Sequence, residues 1–219
     1  VCRLYISKGS IDLSNALKLA AKYDPYMPSD RKQHGDGWGF VAMSQREFFY
    51  YKSGLPAWED PTVVPMREAV LAHARAASPG EPVGPAHSHP YMAHLDDGRI
   101  IFVAHNGSVD KKALAAELGI DPTGYTDSFV LTLFLAKNWG NPDKAVENAM
   151  RYVKTALNLA VLEFPSLRAY AYTYYRGPRE YYAMYLIKEG GAVAVVSSTL
   201  LRHIEYSGEE LKSGTLLAF

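Results

Sequence analysis

The sequence predicts an α+β protein built in layers, with antiparallel strands segregated from helices. Three observations lead there. Strand-like alternation starts at the second residue, three helical runs follow one another in the middle, and the last third reads as a meander of short strands. A doubly wound parallel sheet would need a glycine-rich turn between strand and helix to hold a dinucleotide or phosphate, and none stands at such a place.

Residues 2–7 alternate, with Arg3 and Tyr5 opposite Leu4 and Ile6, which is the period of a strand. Residues 11–23 carry Leu13, Ala16, Leu17, Leu19 and Ala20 at helical spacing. A loop rich in Asp, Pro and Gly follows over 24–37. Residues 38–43 and 47–53 read as two strands joined by a polar turn, and 70–76 as another. The stretch 77–97 holds four prolines and reads as a long irregular loop, a kind that is usually functional or disordered. Residues 99–105 form a strand around Ile-Ile-Phe-Val-Ala, and 111–118, 127–139 and 142–157 have helical periodicity. Strands are expected at 159–164, 169–175, 181–188 and 192–197, with Glu189-Gly190-Gly191 as the hairpin between the last two.

The 219 residues show no composition break, so one domain over 1–219 is expected, long enough to bury a core without disulfides. The 23 basic and 23 acidic residues cancel, which argues against a broad basic face for nucleic acid. No run of eighteen or more apolar residues suggests a membrane span, and the opening residues lack the pattern of a signal peptide, which points to the cytoplasm. The single cysteine, Cys2, excludes an internal disulfide and leaves one thiol for chemistry or for packing.

Five short segments stand out: Cys2-Arg3-Leu4, His-Gly-Asp-Gly-Trp-Gly-Phe at 34–40, His-Ala-Arg-Ala-Ala-Ser at 73–78, Ala-His-Asn-Gly-Ser at 104–108, and Thr-Asp-Ser at 126–128. Each alone has an ordinary reading. Asn106-Gly107 after a strand is commonly a turn, Thr126 or Asp127 before a helix is commonly a cap, and Arg75 in a strand is commonly paired or exposed. Together with His89-Pro90, and in this order, they resemble the class II glutamine amidotransferases, whose catalytic residue is an N-terminal cysteine. The Gly-Asp-Gly-Trp-Gly segment at 35–39 is similar to stand-alone members that lack a synthase domain.

The resemblance implies a four-layer αββα sandwich and hydrolysis of the L-glutamine side-chain amide to glutamate and ammonia, with no metal or organic cofactor. Cys2 would attack the amide carbon to give a thioester, with its own α-amine as the base. Asn106, through its side-chain amide, and Gly107, through its backbone N–H, would stabilise the oxyanion. Arg75 would clamp the substrate carboxylate bidentately, Asp127 would pair with its ammonium, and Ser78 and His89 would line the same pocket. Two positions depart from the family pattern and bear on the shape of that pocket. Ala76 stands where an aromatic residue often follows the arginine, and Phe129 where a glutamate often follows the Asp-Ser pair. The family's ammonia acceptor is a synthase domain or a partner; the residues after Ser128 read as the rest of the sandwich, which leaves two readings, ammonia handed to a separate synthase subunit or action alone on another amide.

Three other readings compete. A γ-glutamyl amide other than glutamine could be cleaved by the same residues. His87-Ser88-His89 could chelate zinc as in JAMM-like metalloproteases, but the positions that should supply the rest of that pattern hold Asp97 and Ile100, leaving Asp96, Asp97, His94 or His105 as substitutes and no patterned base beyond Glu68 or Glu81. A catalytically silent binding module would follow if Val1 stayed joined to Cys2, because the peptide bond turns the catalytic amine into an amide. The simplest reading is that Val1 is an initiator removed in the cell; a retained Val1 would leave the site dormant or make Cys2 depend on another base.

Overall fold

The strand that starts at Cys2 is the centre of the architecture. The computed structural model describes residues 2–219, and the expected removal of Val1 lies outside the described residues. In chain order the elements are β1 (Cys2–Lys8), α1 (Ser14–Lys22), β2 (Trp38–Met43), β3 (Phe48–Ser53), β4 (Ala69–Arg75), β5 (Tyr91–His94) and β6 (Ile100–Val109). There follow α2 (Lys111–Leu118), α3 (Asp127–Asn138), α4 (Pro142–Ala149), β7 (Val153–Phe164), β8 (Ala169–Tyr172), α5 (Arg179–Tyr182), β9 (Met184–Glu189), β10 (Ala192–Ser197), β11 (Glu209–Glu210) and β12 (Leu216–Ala218).

The strands form two antiparallel sheets, ordered β11-β9-β10-β1-β4-β2-β3 and β12-β8-β7-β6-β5. Alternation sends Leu4, Ile6, Val41, Met43 and Leu71 of the larger sheet against Phe102, Ala104, Ala160 and Leu162 of the smaller one, which makes the central core. The outer face of the larger sheet is covered by α1 through Ala16, Leu17 and Ala20, and by Leu200 after β10. The outer face of the smaller sheet is covered by Leu114 of α2, Leu131 and Phe134 of α3, and Val146 of α4. Three cores between four layers give the expected αββα sandwich.

Several boundaries differ from the sequence reading. The helix expected over 142–157 stops at Ala149, and after a 3₁₀ turn at Met150–Tyr152 the chain enters β7 at Val153. The β-branched Val153 and Thr155 suit an extended backbone, and pairing with β6 outweighs the helical periodicity. The strand expected over 181–188 begins with the short helix α5, which follows Pro178. The irregular stretch 77–97 contains β5, whose Tyr91 and Ala93 are buried in alternation. Asn106-Gly107 is not a turn: β6 runs through it to Val109, with a register shift between Gly107 and Val109.

Candidate active site

Alternation along β1 puts Cys2 on the face of Leu4 and Ile6, between the sheets, and Arg3 on the opposite face with Tyr5. In the β1–β4 register Cys2 pairs with Arg75 and Leu4 with His73, so those two side chains share the face of the thiol. The Cys2 thiol is buried. Burial alone would push it up; the charges of the chain's amino terminus and of His73, with hydrogen bonding from His73 and from the Ala76 backbone, overcome this and bring it down to about 5. A thiol in that state is a nucleophile near neutral pH.

Asn106 reaches across from the other sheet. The Cys2 backbone N–H donates to Asn106 Oδ1 at 3.0 Å. That bond fixes the side-chain amide, whose Nδ2 lies on the other branch as a donor. Next to it, Gly107 has φ +156°, and a Cβ there would come within 2.0 Å of the Ala156 carbonyl oxygen. Only glycine lets β6 approach β7 this closely at this point.

Cys2, Arg75, Ser78, His89, Gly107 and Asp127 line one hollow, so six of the seven residues singled out in the sequence converge there, and the seventh, Asn106, is hydrogen-bonded to Cys2 from the facing sheet. Arg75 is buried, and its Nη1–H donates to the Pro82 carbonyl oxygen at 2.7 Å. The carboxylate of Asp127 accepts from the Val109 N–H at 3.0 Å, and its Oδ1 lies 3.2 Å from the Ser128 hydroxyl oxygen. Two acceptor sites remain on such a carboxylate for an ammonium group. Ser78 is exposed at the rim, whereas His89 is buried at the wall.

Sequence reasoning missed three histidines and one ion pair. His73 is two residues before Arg75 on the same strand, so the alternation of β4 was the signal that placed it beside Cys2. Its ring stacks on His89 with centroids 4.0 Å apart. His105 Nε2–H donates to the Ala156 carbonyl oxygen at 3.1 Å, and its Nδ1 lies 2.9 Å from Ser128 Oγ. Behind β1, the Arg3 guanidinium donates to Asp24 Oδ2 at 2.6 Å and to the Cys2 carbonyl oxygen at 3.0 Å. His34 Nε2 lies 2.8 Å from the same Asp24 oxygen, and the Thr199 hydroxyl donates to Asp24 Oδ1 at 2.7 Å. All four of these side chains are buried, and they fix the backbone of the nucleophile from the side away from the hollow.

Comparison with known proteins gives the chain a family. The sequence model of the class II glutamine amidotransferases matches residues 19–155, more than half of the chain. The chain belongs to the class II glutamine amidotransferases. Among solved structures, the glutamine phosphoribosylpyrophosphate amidotransferase from B. subtilis superposes with a TM-score of 0.72 at 16% identity, over 99% of this chain and 47% of that one. An allosteric regulatory enzyme of purine biosynthesis gives 0.73 at 16% identity, over 100% of this chain and 46% of that one. The chain thus spans about half the length of those two proteins. A glutamine aminotransferase class-II domain protein from Silicibacter pomeroyi gives 0.59 at 20% identity, over 99% of this chain and 94% of that one. At these identities the likeness concerns the fold. No curated protein matches the chain in sequence.

Within this amidotransferase the two departures from the family pattern find their places. Phe129 turns away from the hollow and packs edge-on to Tyr91 and against Tyr125. Ala76 is buried among Met27, Ala156, Tyr181 and Tyr182, which supply the bulk that a larger residue would otherwise bring. The two histidines of the zinc reading separate: His89 lines the hollow with Cys2, while His87 lines a neighbouring apolar one with Tyr125 and Phe129. Among the described residues no group of three or more His, Cys, Asp or Glu is placed to hold a metal ion. No helix among them is long and apolar enough to cross a membrane.

Proposed function

We propose that this amidotransferase hydrolyses the side-chain amide of L-glutamine to glutamate and ammonia through a thioester on Cys2. The observation that carries the reading is the Cys2–Asn106 contact at 3.0 Å, which joins the nucleophile on one sheet to an oxyanion donor on the other. Cys2 Sγ attacks the amide carbon, and the developing oxyanion is met by Asn106 Nδ2 and the Gly107 N–H. One such donor contributes about 3–4 kcal/mol to lowering the barrier. Arg75 holds the α-carboxylate and Asp127 the α-ammonium, with Ser78 and His89 shaping the walls. Ammonia leaves, and water releases glutamate from the thioester.

The hollow encloses about 20 Å³, room for roughly one water. Glutamine is admitted when residues 77–82, which pass over Arg75 and include the exposed Ser78 and Gly80, move outward. The test is labelling with a diazoketone analogue of glutamine. One adduct on Cys2, located by mass spectrometry and suppressed by glutamine, is expected, together with loss of glutamate release in Cys2→Ala. An adduct elsewhere, or glutamate release at the wild-type rate in that variant, would falsify the assignment.

A further inference from the structure

Glu81 lines the hollow together with Cys2, Arg75 and Asp127, and the steps of glutamine hydrolysis leave its carboxylate without a task. It belongs to the strap of residues 77–82, where its N–H donates to the Ser78 carbonyl oxygen at 3.1 Å. The next residue, Pro82, accepts from the Arg75 guanidinium at 2.7 Å. These two bonds hold Glu81 close to the group read as the carboxylate clamp. Its Oε1 lies 3.2 Å from Lys111 Nζ. Its Oε2 is shut off from solvent and has no donor among the described residues. A carboxylate oxygen buried without a donor is destabilising, and a bound ligand that brings the donor removes the penalty.

Lys111 connects this carboxylate to the other one in the hollow. Its ammonium also donates to the carbonyl oxygen of Tyr125 at 2.9 Å, two residues before Asp127. Asp127 in turn accepts from the N–H of Val109, two residues before Lys111. The strap and the starts of α2 and α3 are thus joined into one frame, which carries Glu81 and Asp127 into the same hollow. An ammonium group has three N–H donors. Asp127, already engaged by Val109, does not meet all three, and the open oxygen of Glu81 suits another.

We propose that Glu81 is a specificity-determining residue of this site, accepting through Oε2 from the substrate's α-ammonium when the strap closes. The proposal rests on the reading of the hollow as a glutamine site and narrows its substrate class. The substrate is the side-chain amide of an amino acid whose α-amine is free and protonated. Glutamine acylated on its α-nitrogen, as within a peptide, lacks that charge and is refused. Because Glu81 rides on the strap that moves outward to admit glutamine, the ammonium also favours the closed strap. Selection and closure are then one event. A carboxylate that only anchored the strap on Lys111 would be indifferent to the ligand's α-amine.

The experiment reads that difference by calorimetry in the Cys2→Ala background, where a bound amide is not consumed. The two ligands are L-glutamine and glutaramate, which is glutamine with hydrogen in place of its α-ammonium. Adding Glu81→Gln is expected to weaken glutamine roughly tenfold, the low end for a bond between charged groups because the new amide oxygen still accepts. Glutaramate is expected to bind this variant and its parent alike. Lys111→Met, which loosens the strap and keeps the carboxylate, is expected to shift both ligands by the same factor. An equal loss for both ligands in Glu81→Gln overturns the proposal and leaves Glu81 an anchor. A parent that binds glutaramate as tightly as glutamine also overturns it, whether or not the variant folds. A selective loss in a protein whose cysteine form releases no ammonia from glutamine upholds Glu81 and rejects only the hydrolysis.

Discussion

In the proposed reaction, Arg75 is the residue that sets the affinity for glutamine. Its guanidinium is buried with one nitrogen committed to the Pro82 carbonyl, and the remaining fork faces the hollow of Cys2. Lysine at this position keeps the charge but loses both the parallel pair of bonds and the Pro82 anchor. Arg75→Lys is expected to raise the KM for glutamine roughly 10- to 100-fold, the range that follows from about 1.5–3 kcal/mol per bond to a charged group. Because the clamp holds ground state and transition state alike, kcat should change far less, and steady-state kinetics separates the two. An unchanged KM rejects the clamp. At this scale the site was largely legible: Cys2, Arg75, Asn106, Gly107 and Asp127 sit in short segments whose order carries the signal. His73 was not, because the alternation of β4 puts it on the face of Arg75 but only the pairing of β4 with β1 brings that face to Cys2.

The element that presents the nucleophile is held in place by a buried polar knot behind β1. Burial alone would raise Asp24; hydrogen bonds from His34 and Thr199 and the charge of Arg3 hold it well below the usual carboxylate range. His34 is pushed down to about 4, by burial first and by the Arg3 charge, against the pull of Asp24. The sign for stability follows. Between about pH 6.5 and about pH 4 the unfolded chain binds a proton at His34 that the folded protein refuses, so stability is complete above that window and falls as the pH is lowered through it. The loss from His34 amounts to about 3 kcal/mol across the window. His89 and His105 add to it with the same sign, and Asp24 adds a further loss at still lower pH, as it is protonated. Urea unfolding at several pH values is expected to show this slope, and His34→Gln, whose amide can still donate to Asp24, should flatten it. An equal slope in the variant would place the acid sensitivity elsewhere. Elements with one strong period, such as β2, α2 and β10, were legible to the residue. The start of β7 was not, since Val153 to Leu157 fits a helical face as well as a strand and only the pairing with β6 decides.

At the scale of the whole molecule, the Cys2–Asn106 contact on which the proposed reaction depends spans the gap between the two sheets. Cys2 rides on the larger sheet and Asn106 on the smaller one, and the central core sets the gap between them. The core beside the site is made of small residues: Ala104 lies two residues before Asn106 on the same face and pairs with Ala160. At the far end the spacing is set by larger side chains such as Met43, opposite Ala69, six residues along β4 from Arg75. Two core substitutions should therefore cost similar stability and differ in activity. Ala104→Leu overpacks the core beside Asn106, for a loss of about 1–3 kcal/mol. Met43→Ala leaves a cavity at the far end, for a loss of about 2–5 kcal/mol. A misplacement of about 1 Å in a reacting group can cost on the order of 100-fold in rate. Ala104→Leu is accordingly expected to lower kcat by tenfold or more with the folded protein still dominant, while Met43→Ala keeps kcat near the native value at temperatures well below its melting point. Melting curves and kcat measured on the same samples check both. If the two variants lose activity only in proportion to their stability, the sheets are not setting the catalytic distance, and Asn106 must be positioned by β6 alone.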